Sequence, residues 1–413
     1  MKVLVVGHGA REHAIVKKLM EEDIELHAAM SRRNPGIAKV ASRVEIFDLT
    51  RLENYDRFRG GLDIAFIGPE APLADGVTDH LNGMGIPVVG PARILAKLEW
   101  SKAFTRFFLS EHKIEGNPEF SICRNLEDVR RFLRAHPDVA VKPDVLTGGK
   151  GVRITGEHLN SGAETEAYAA ERIRTDGLVV LEDRLVGREF TLQAFTDGSR
   201  VEVMPLVRDY KRAFDGDKGP NTGSMGSFSC PDHGLPDLPS VVVRKGEGIM
   251  RQTISKLTES VGRFRGVLYG GFMDTADGVF LLEYNVRFGD PEAINVLALL
   301  ETPLLEIGWD IVDGRLSTPA FQKKATVCVY MVPEGYPTSP RKGVPVDIEP
   351  PERSEIYYAS VHEENGTTYT TTSRSIALLA KGETVEEARE MVYMDVPRIR
   401  GDLFYRRDIA KGM

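Results

Sequence analysis

The sequence predicts an α/β protein. A doubly wound parallel sheet comes first, then α+β domains, then a β-rich C-terminal domain. Three observations lead there. Short apolar strands alternate with helix-period segments through the first hundred residues, the pattern of a parallel sheet covered on both faces. A strand–glycine loop–strand unit occupies 139–152. From about residue 320 the clearest elements are strands, at 326–331 and 376–380.

In chain order, strands are expected at 2–6, 25–29, 62–67 and 87–89, with helices at 11–22 and 75–84 between them. Ligands of such sheets bind at the carboxyl ends of strands. Gly7-His8-Gly9, Asn34-Pro35-Gly36 and Gly68-Pro69-Glu70 follow strands or their loops and are placed to line one crevice. The expected division is an N-terminal domain over 1–100, a small lid over 101–190 with a flap at about 143–151, a central domain over 191–315 and a C-terminal domain over 316–413. Helices are expected at 241–262 and 291–300. The Pro-rich stretch 344–351 is read as a loop, and no internal repeat is evident.

Composition narrows the function classes. The 413 residues are 42% hydrophobic and 28% charged, ordinary for a globular enzyme with full cores. The net charge of −8 argues against a nucleic-acid surface. Three widely spaced cysteines, Cys123, Cys230 and Cys328, give neither a disulfide framework nor a zinc site. No apolar run reaches the roughly 18 residues of a membrane span, and no signal-peptide pattern precedes the first strand. A reducing cytoplasm is expected, with neither nucleic acid nor membrane as partner.

The most informative stretch is 281–292, Leu-Leu-Glu-Tyr-Asn-Val-Arg-Phe-Gly-Asp-Pro-Glu. Strand alternation sets Glu283, Asn285 and Arg287 on one face. Hard oxygens there suit Mg²⁺, and a guanidinium beside them suits a phosphoryl oxygen. Residues 207–226 bring four glycines together with Lys211, Arg212, Asp215 and Asp217, a loop that can hold anions on amides and cations on carboxylates. In 139–152, Lys142 ends a strand and Lys150 sits in the glycine loop. The spacing is not that of a Walker A loop, yet it places a lysine to reach phosphates. Glu182 and Glu189 end and follow the strand at 178–182, where carboxylates can accept from an adenine amino group or ribose hydroxyls.

At the N-terminus, Gly7-His8-Gly9 starts like a dinucleotide fingerprint. Glu12 then occupies the third glycine position, where a carboxylate would repel a pyrophosphate. Arg32 stands where a ribose-binding acid belongs. NAD binding is therefore not expected, although the helix start can hold a single phosphate. His8 and His13 read first as packed or hydrogen-bonding residues.

Taken in this order, the segments resemble the ATP-grasp ligases, and within them the glycinamide ribonucleotide synthetases. The similarity covers essentially the whole chain. It is most specific in 68–73 (Gly-Pro-Glu-Ala-Pro-Leu), 219–223 (Gly-Pro-Asn-Thr-Gly) and 285–292. The resemblance implies ATP-dependent ligation of glycine to 5-phosphoribosylamine through glycyl phosphate, in de novo purine biosynthesis, by a monomer or weak homodimer. It implies ATP contacts from Lys102, Lys142, Lys150, Glu182, Glu189 and Asn285. Glu283 and Asn285 are the implied ligands of Mg²⁺ or Mn²⁺, and Lys142, Asp217 and Arg287 the catalytic groups. Substrate contacts are implied for Gly9, Arg11, Glu12, Asn34, Gly36, Pro69 and Glu70. In the second half they are implied for Asp209, Lys211, Arg212, Asp215, Asp217, Asn221, Arg287 and Asp290.

The chain also departs from the pattern. Ala10, Val145, Tyr210 and Ser224 replace residues common in that family, and 371–375 lacks a Gly-Gly-Arg. Gly271 stands where a further metal ligand is often found. Two alternatives stay open on sequence alone, an ATP-grasp ligase with another acceptor and a non-catalytic nucleotide sensor.

Overall fold

The computed structural model describes residues 1–146 and 151–413. In the N-terminal unit, five parallel strands run across the sheet in the order Arg43–Ile46, Glu25–Met30, Lys2–Val6, Ile64–Ile67 and Val88–Val89. Val3, Leu4, Val5 and Val6 are all fully buried, as both faces of a covered parallel sheet require. The first strand is central, so the topological switch lies between it and Ile64–Ile67, where Gly7–Gly9 and Gly68–Glu70 emerge. The helix expected at 75–84 is instead two helices, Glu70–Asp75 and Val77–Gly83. Gly76, at φ +92°, caps the first in the left-handed conformation and redirects the chain.

The lid is a four-stranded antiparallel sheet ordered Phe120–Cys123, Val179–Asp183, Val139–Pro143, Arg153–Ile154. The helices Leu126–Ala135 and Gly162–Asp176 accompany it. Its core is its own: Cys123, Val129, Val141, Tyr168 and Leu181 pack together, apart from the two larger clusters. Opposite it stands a second antiparallel sheet, ordered Val201–Val203, Arg188–Thr196, Gly266–Thr275, Gly278–Asn285, with the long helix Ser240–Ser260 packed on it.

The C-terminal sheet centres on Ala325–Pro333, buried along its whole length. It also recruits Arg208–Asp209 and Gly226–Ser229 from the middle of the chain. The glycine-rich segment therefore hangs from this sheet. The Pro-rich stretch contains a strand, Pro345–Ile348, where a loop was expected. Its proline takes the first position, and Val346, Asp347 and Ile348 pair with Thr367–Thr370 and Ile399–Arg400.

Candidate active site

The cleft between lid and central sheet is organised by a bulge. Along Gly278–Asn285, Val279 and Leu281 face the core, and simple alternation would send Glu283 after them. Leu281 pairs with Phe272 but Glu283 pairs with Gly271, so Leu282 is an extra residue in the ladder. Past it the parity reverses. Tyr284 takes the core position, and Glu283 and Asn285 both turn into the cleft, where Arg287 joins them.

Glu283 accepts from Lys102 Nζ at 3.0 Å. Lys102 first, then Lys142 and Lys211, hold its carboxyl down at about 2, so it stays ionised at any working pH. Asn285 Oδ1 accepts from Arg287 Nη2 at 3.1 Å. Arg287 also pairs with Glu99 at 3.0 Å and with Glu70 at 3.5 Å, and Glu70 lies 3.8 Å from Arg11. This chain of ions joins the N-terminal crevice to the cleft. Burial raises Glu99, whereas Arg287 and Arg11 keep Glu70 below the usual carboxylate range against its own burial.

Across the cleft, Lys211 pairs with Glu189. Asp209 is raised by burial. Glu292 accepts from Tyr269 Oη at 3.0 Å and is pushed up to about 7, by burial first and by Asp209 second. Asp290 accepts from Tyr330 Oη at 2.5 Å and pairs at 3.2 Å with Arg374 of the C-terminal domain. Arg374 also donates to the carbonyls of Gly223 and, at 3.1 Å, of Asp290. One guanidinium thus pins both the glycine-rich segment and the loop after Arg287.

The cleft brings together Lys102, Asp209, Lys211, Glu283, Asn285, Arg287, Asp290 and Glu70. Several expected contacts have other partners. Glu182 lies in a buried cluster, bidentate to Arg106 at 2.7 and 2.8 Å and 2.8 Å from Lys142. Its oxygens are committed to those cations rather than to a nucleoside. Glu12 folds back to accept from Gly9 N at 2.5 Å and Arg11 Nε at 2.7 Å. A Cβ on Gly7 or Gly68 would overlap it, so these glycines make room for a buried carboxylate. Asn34 is fully buried, capping the helix Pro35–Val40 and donating at 2.8 Å to the carbonyls of His8 and Tyr358. Asp217 pairs with Arg406 at 2.8 Å and Asp215 accepts from Arg407 N at 2.8 Å, anchoring their hairpin to the chain's last segment. Arg212 Nη1 donates to Gly219 O in that hairpin, and Asn221 is exposed on its return strand. Gly9 and Pro69 precede the helices Ala10–Leu19 and Glu70–Asp75 that follow the two central strands, and Gly36 lies in the first turn of Pro35–Val40. Lys150 falls outside the described residues.

Sequence reasoning gave no role to Glu99, Arg106, Tyr269 or Arg374. Arg106 lies four residues after Lys102 on the helix Lys102–Glu111, and Arg374 lies in the atypical 371–375 segment. Only packing reveals what they hold.

The donors fit a divalent cation carried on phosphates. One fixed carboxylate and one amide oxygen share a face, and Mg²⁺ sites of that kind take their remaining ligands from phosphate and water. Among the described residues there is no group of three or more His, Cys, Asp or Glu side chains that could hold a metal by itself. Also among them, no helix is long and apolar enough to cross a membrane.

Comparison with known proteins gives a consistent match. The phosphoribosylglycinamide synthetase N domain matches residues 1–99, the ATP-grasp (A) domain 100–293 and the C domain 326–412. The phosphoribosylamine–glycine ligase of Methanoregula boonei is 46% identical over 417 residues, 99% of this chain and 96% of that protein. That of Thermococcus gammatolerans is 44% identical over 420 residues, 99% and 94%. The crystal structure of the Thermotoga maritima phosphoribosylamine–glycine ligase superposes with a TM-score of 0.84 at 29% identity, covering 99% of this chain and all of that one. The biotin carboxylase domain of Hydrogenobacter thermophilus 2-oxoglutarate carboxylase, a complex with MgADP, shares the fold alone, with a TM-score of 0.72 at 16% identity over 97% of this chain and 90% of that one.

Proposed function

The chain belongs to the phosphoribosylglycinamide synthetase family, and from that premise we propose how its residues divide the work. It is an ATP-dependent carbon–nitrogen ligase of purine biosynthesis, joining glycine to 5-phosphoribosylamine by way of glycyl phosphate. A glycine carboxylate oxygen attacks the γ-phosphorus of ATP as the bond to ADP breaks. The amine nitrogen of phosphoribosylamine then attacks the acyl carbon, the C–O bond breaks, phosphate leaves and the nitrogen gives up a proton.

The first step needs positioning and charge neutralisation. Lys102, Lys142 and Lys211 supply cationic charge around Glu283 and are assigned to the polyphosphate. Glu283 and Asn285 are assigned to Mg²⁺ or Mn²⁺, which neutralises phosphate oxygens when bound. Arg287, gripped by Glu99 and Glu70, is rigid enough to steady the transferring group. Asp209 suits the glycine ammonium. Arg11 and Glu70, at the seam of crevice and cleft, suit phosphoribosylamine. The protein is read as cytoplasmic, a monomer or weak homodimer, with small molecules as its substrates.

The observation that carries this division is the bulge that turns Glu283 and Asn285 together into a cleft lined by Lys102, Lys211 and Arg287. The test is phosphate release from ATP with glycine and freshly made phosphoribosylamine, omitting each in turn, in wild type and in Glu283→Gln. Release requiring both substrates, at least about a hundredfold slower in Glu283→Gln, supports the assignment. Undiminished release in the variant refutes the metal assignment, and release without glycine refutes the order of steps.

A further inference from the structure

Arg106 is among the largest fully buried side chains in the protein, and it lies outside the sites assigned so far. Its guanidinium makes five contacts. Two go to the Glu182 carboxylate, at 2.7 and 2.8 Å. Two go to backbone carbonyls of the metal-ligand strand, Leu281 at 2.9 Å and Leu282 at 2.8 Å. The fifth is to Asn117 Oδ1 at 3.4 Å. Leu282 is the extra residue of the bulge, so Arg106 holds the backbone that aims Glu283. Lys142 Nζ meets the same two acceptors, Glu182 at 2.8 Å and Leu282 O at 2.8 Å.

The charges in this cluster do not cancel. Two cations face one carboxylate, all three buried. Alone with Lys142, Glu182 would neutralise it, and the lid would present no net charge to a polyanion. Arg106 takes both carboxylate oxygens in a fork and Lys142 meets one of them as well, so a single carboxylate is shared between two cations. Burial lowers the Lys142 ammonium and Arg106 adds to that, while Glu182 and Glu283 oppose it. With Glu182 and Leu282 O as partners it keeps, among the described residues, one of its three N–H donors. A charge at such a site acts through low-dielectric surroundings, where it is felt strongly.

We infer that Arg106 is a positioning residue that works through Lys142. It shares Glu182 with Lys142 so that the lid keeps one surplus positive charge for the nucleotide's phosphates. The inference rests on the reading of Lys142 as a phosphate contact.

The test is calorimetric binding of MgADP and of adenosine to the full-length protein, with the melting temperature as a check on folding. In Arg106→Met the cluster's surplus charge is gone. MgADP should bind at least about tenfold more weakly while adenosine changes less than about twofold. In Arg106→Met/Glu182→Gln the surplus returns on Lys142 alone, and MgADP affinity should recover to within about threefold of wild type. Arg106→Lys keeps the charge without the fork. It should bind MgADP within about threefold of wild type even if it melts earlier, and it carries the test should Arg106→Met not fold. Equal losses for adenosine and MgADP would mean a merely structural role and overturn the inference. So would a double variant as weak as the single one, or a folded Arg106→Lys with the full MgADP loss. Lys142→Met separates the two readings. If it leaves MgADP binding intact, the phosphate role of Lys142 fails. If it weakens MgADP while Arg106→Met does not, only the role of Arg106 fails.

Discussion

Glu292 lines the cleft, and burial with Asp209 beside it pushes its carboxyl up to about 7, which makes it a titrating group near neutrality. The reference value is 4.5, so between about 4.5 and about 7 the folded protein holds a proton that the unfolded chain has released. Stability therefore falls as pH rises through that window, by up to about 3 kcal/mol, and the deficit persists above it. Glu292→Gln keeps an acceptor for Tyr269 and removes the titration. Denaturant melts at about pH 5 and about pH 8 should show the variant gaining on wild type at the higher pH. An unchanged difference would mean that Glu292 titrates normally. Residues of this kind are the least legible in a sequence. Glu283, Asn285 and Arg287 declared themselves by alternation on a strand. Asp215 and Asp217 looked equally chemical in the glycine-rich segment, yet they tie a hairpin to Arg407 and Arg406. A carboxylate's type says what it can bind, and only its neighbours say whether its oxygens are already taken.

At the scale of elements, periodicity located the strands and the long helices, because burial imposes a period of two or 3.6 on a sequence. It does not mark where that period slips. The extra residue at Leu282 and the turn at Gly76 both came as findings, and each follows from backbone geometry that no side-chain pattern encodes. Glycines show the same contrast within one sheet. A Cβ on Gly187 would overlap the Asp274 carbonyl, where the chain entering Arg188–Thr196 passes the end of Gly266–Thr275. At Gly271, opposite Glu283, the nearest atom would be 3.8 Å away. Gly187→Ala must displace backbone and should cost about 1–3 kcal/mol. It should also raise the KM for ATP, because Glu189 lies two residues on. Gly271→Ala should cost less than about 1 kcal/mol. Thermal midpoints with KM for ATP measure both, and similar costs at the two sites would show that the sheet absorbs the Gly187 overlap by sliding.

At the scale of the molecule, the N- and C-terminal domains meet through contacts spanning more than three hundred residues of sequence, which is why none of them was legible beforehand. The strand Glu355–Tyr358 docks on the helix Ala10–Leu19: Lys17 pairs with Glu355 at 2.7 Å and lies 4.3 Å from the centre of the Tyr357 ring. Asn34 donates to Tyr358 O at 2.8 Å, and His13 Nδ1 accepts from Tyr358 N at 2.9 Å. That last bond requires an unprotonated Nδ1. Burial first, and Lys17 second, push His13 down to about 3. Its reference value is 6.5, so below it the unfolded chain takes up a proton that the folded protein refuses. Stability contributed by neutral His13 is present above 6.5 and drains away as pH falls, by about 2 kcal/mol at about pH 5. His13→Asn offers an amide oxygen to Tyr358 N and does not titrate. The variant should lose less stability than wild type between about pH 7 and about pH 5, the gap approaching 2 kcal/mol in urea melts. Hydrogen exchange at Tyr358 should quicken with acid in wild type alone. If both proteins lose stability in parallel and Tyr358 exchanges alike in each, the interdomain contact does not depend on His13 staying neutral.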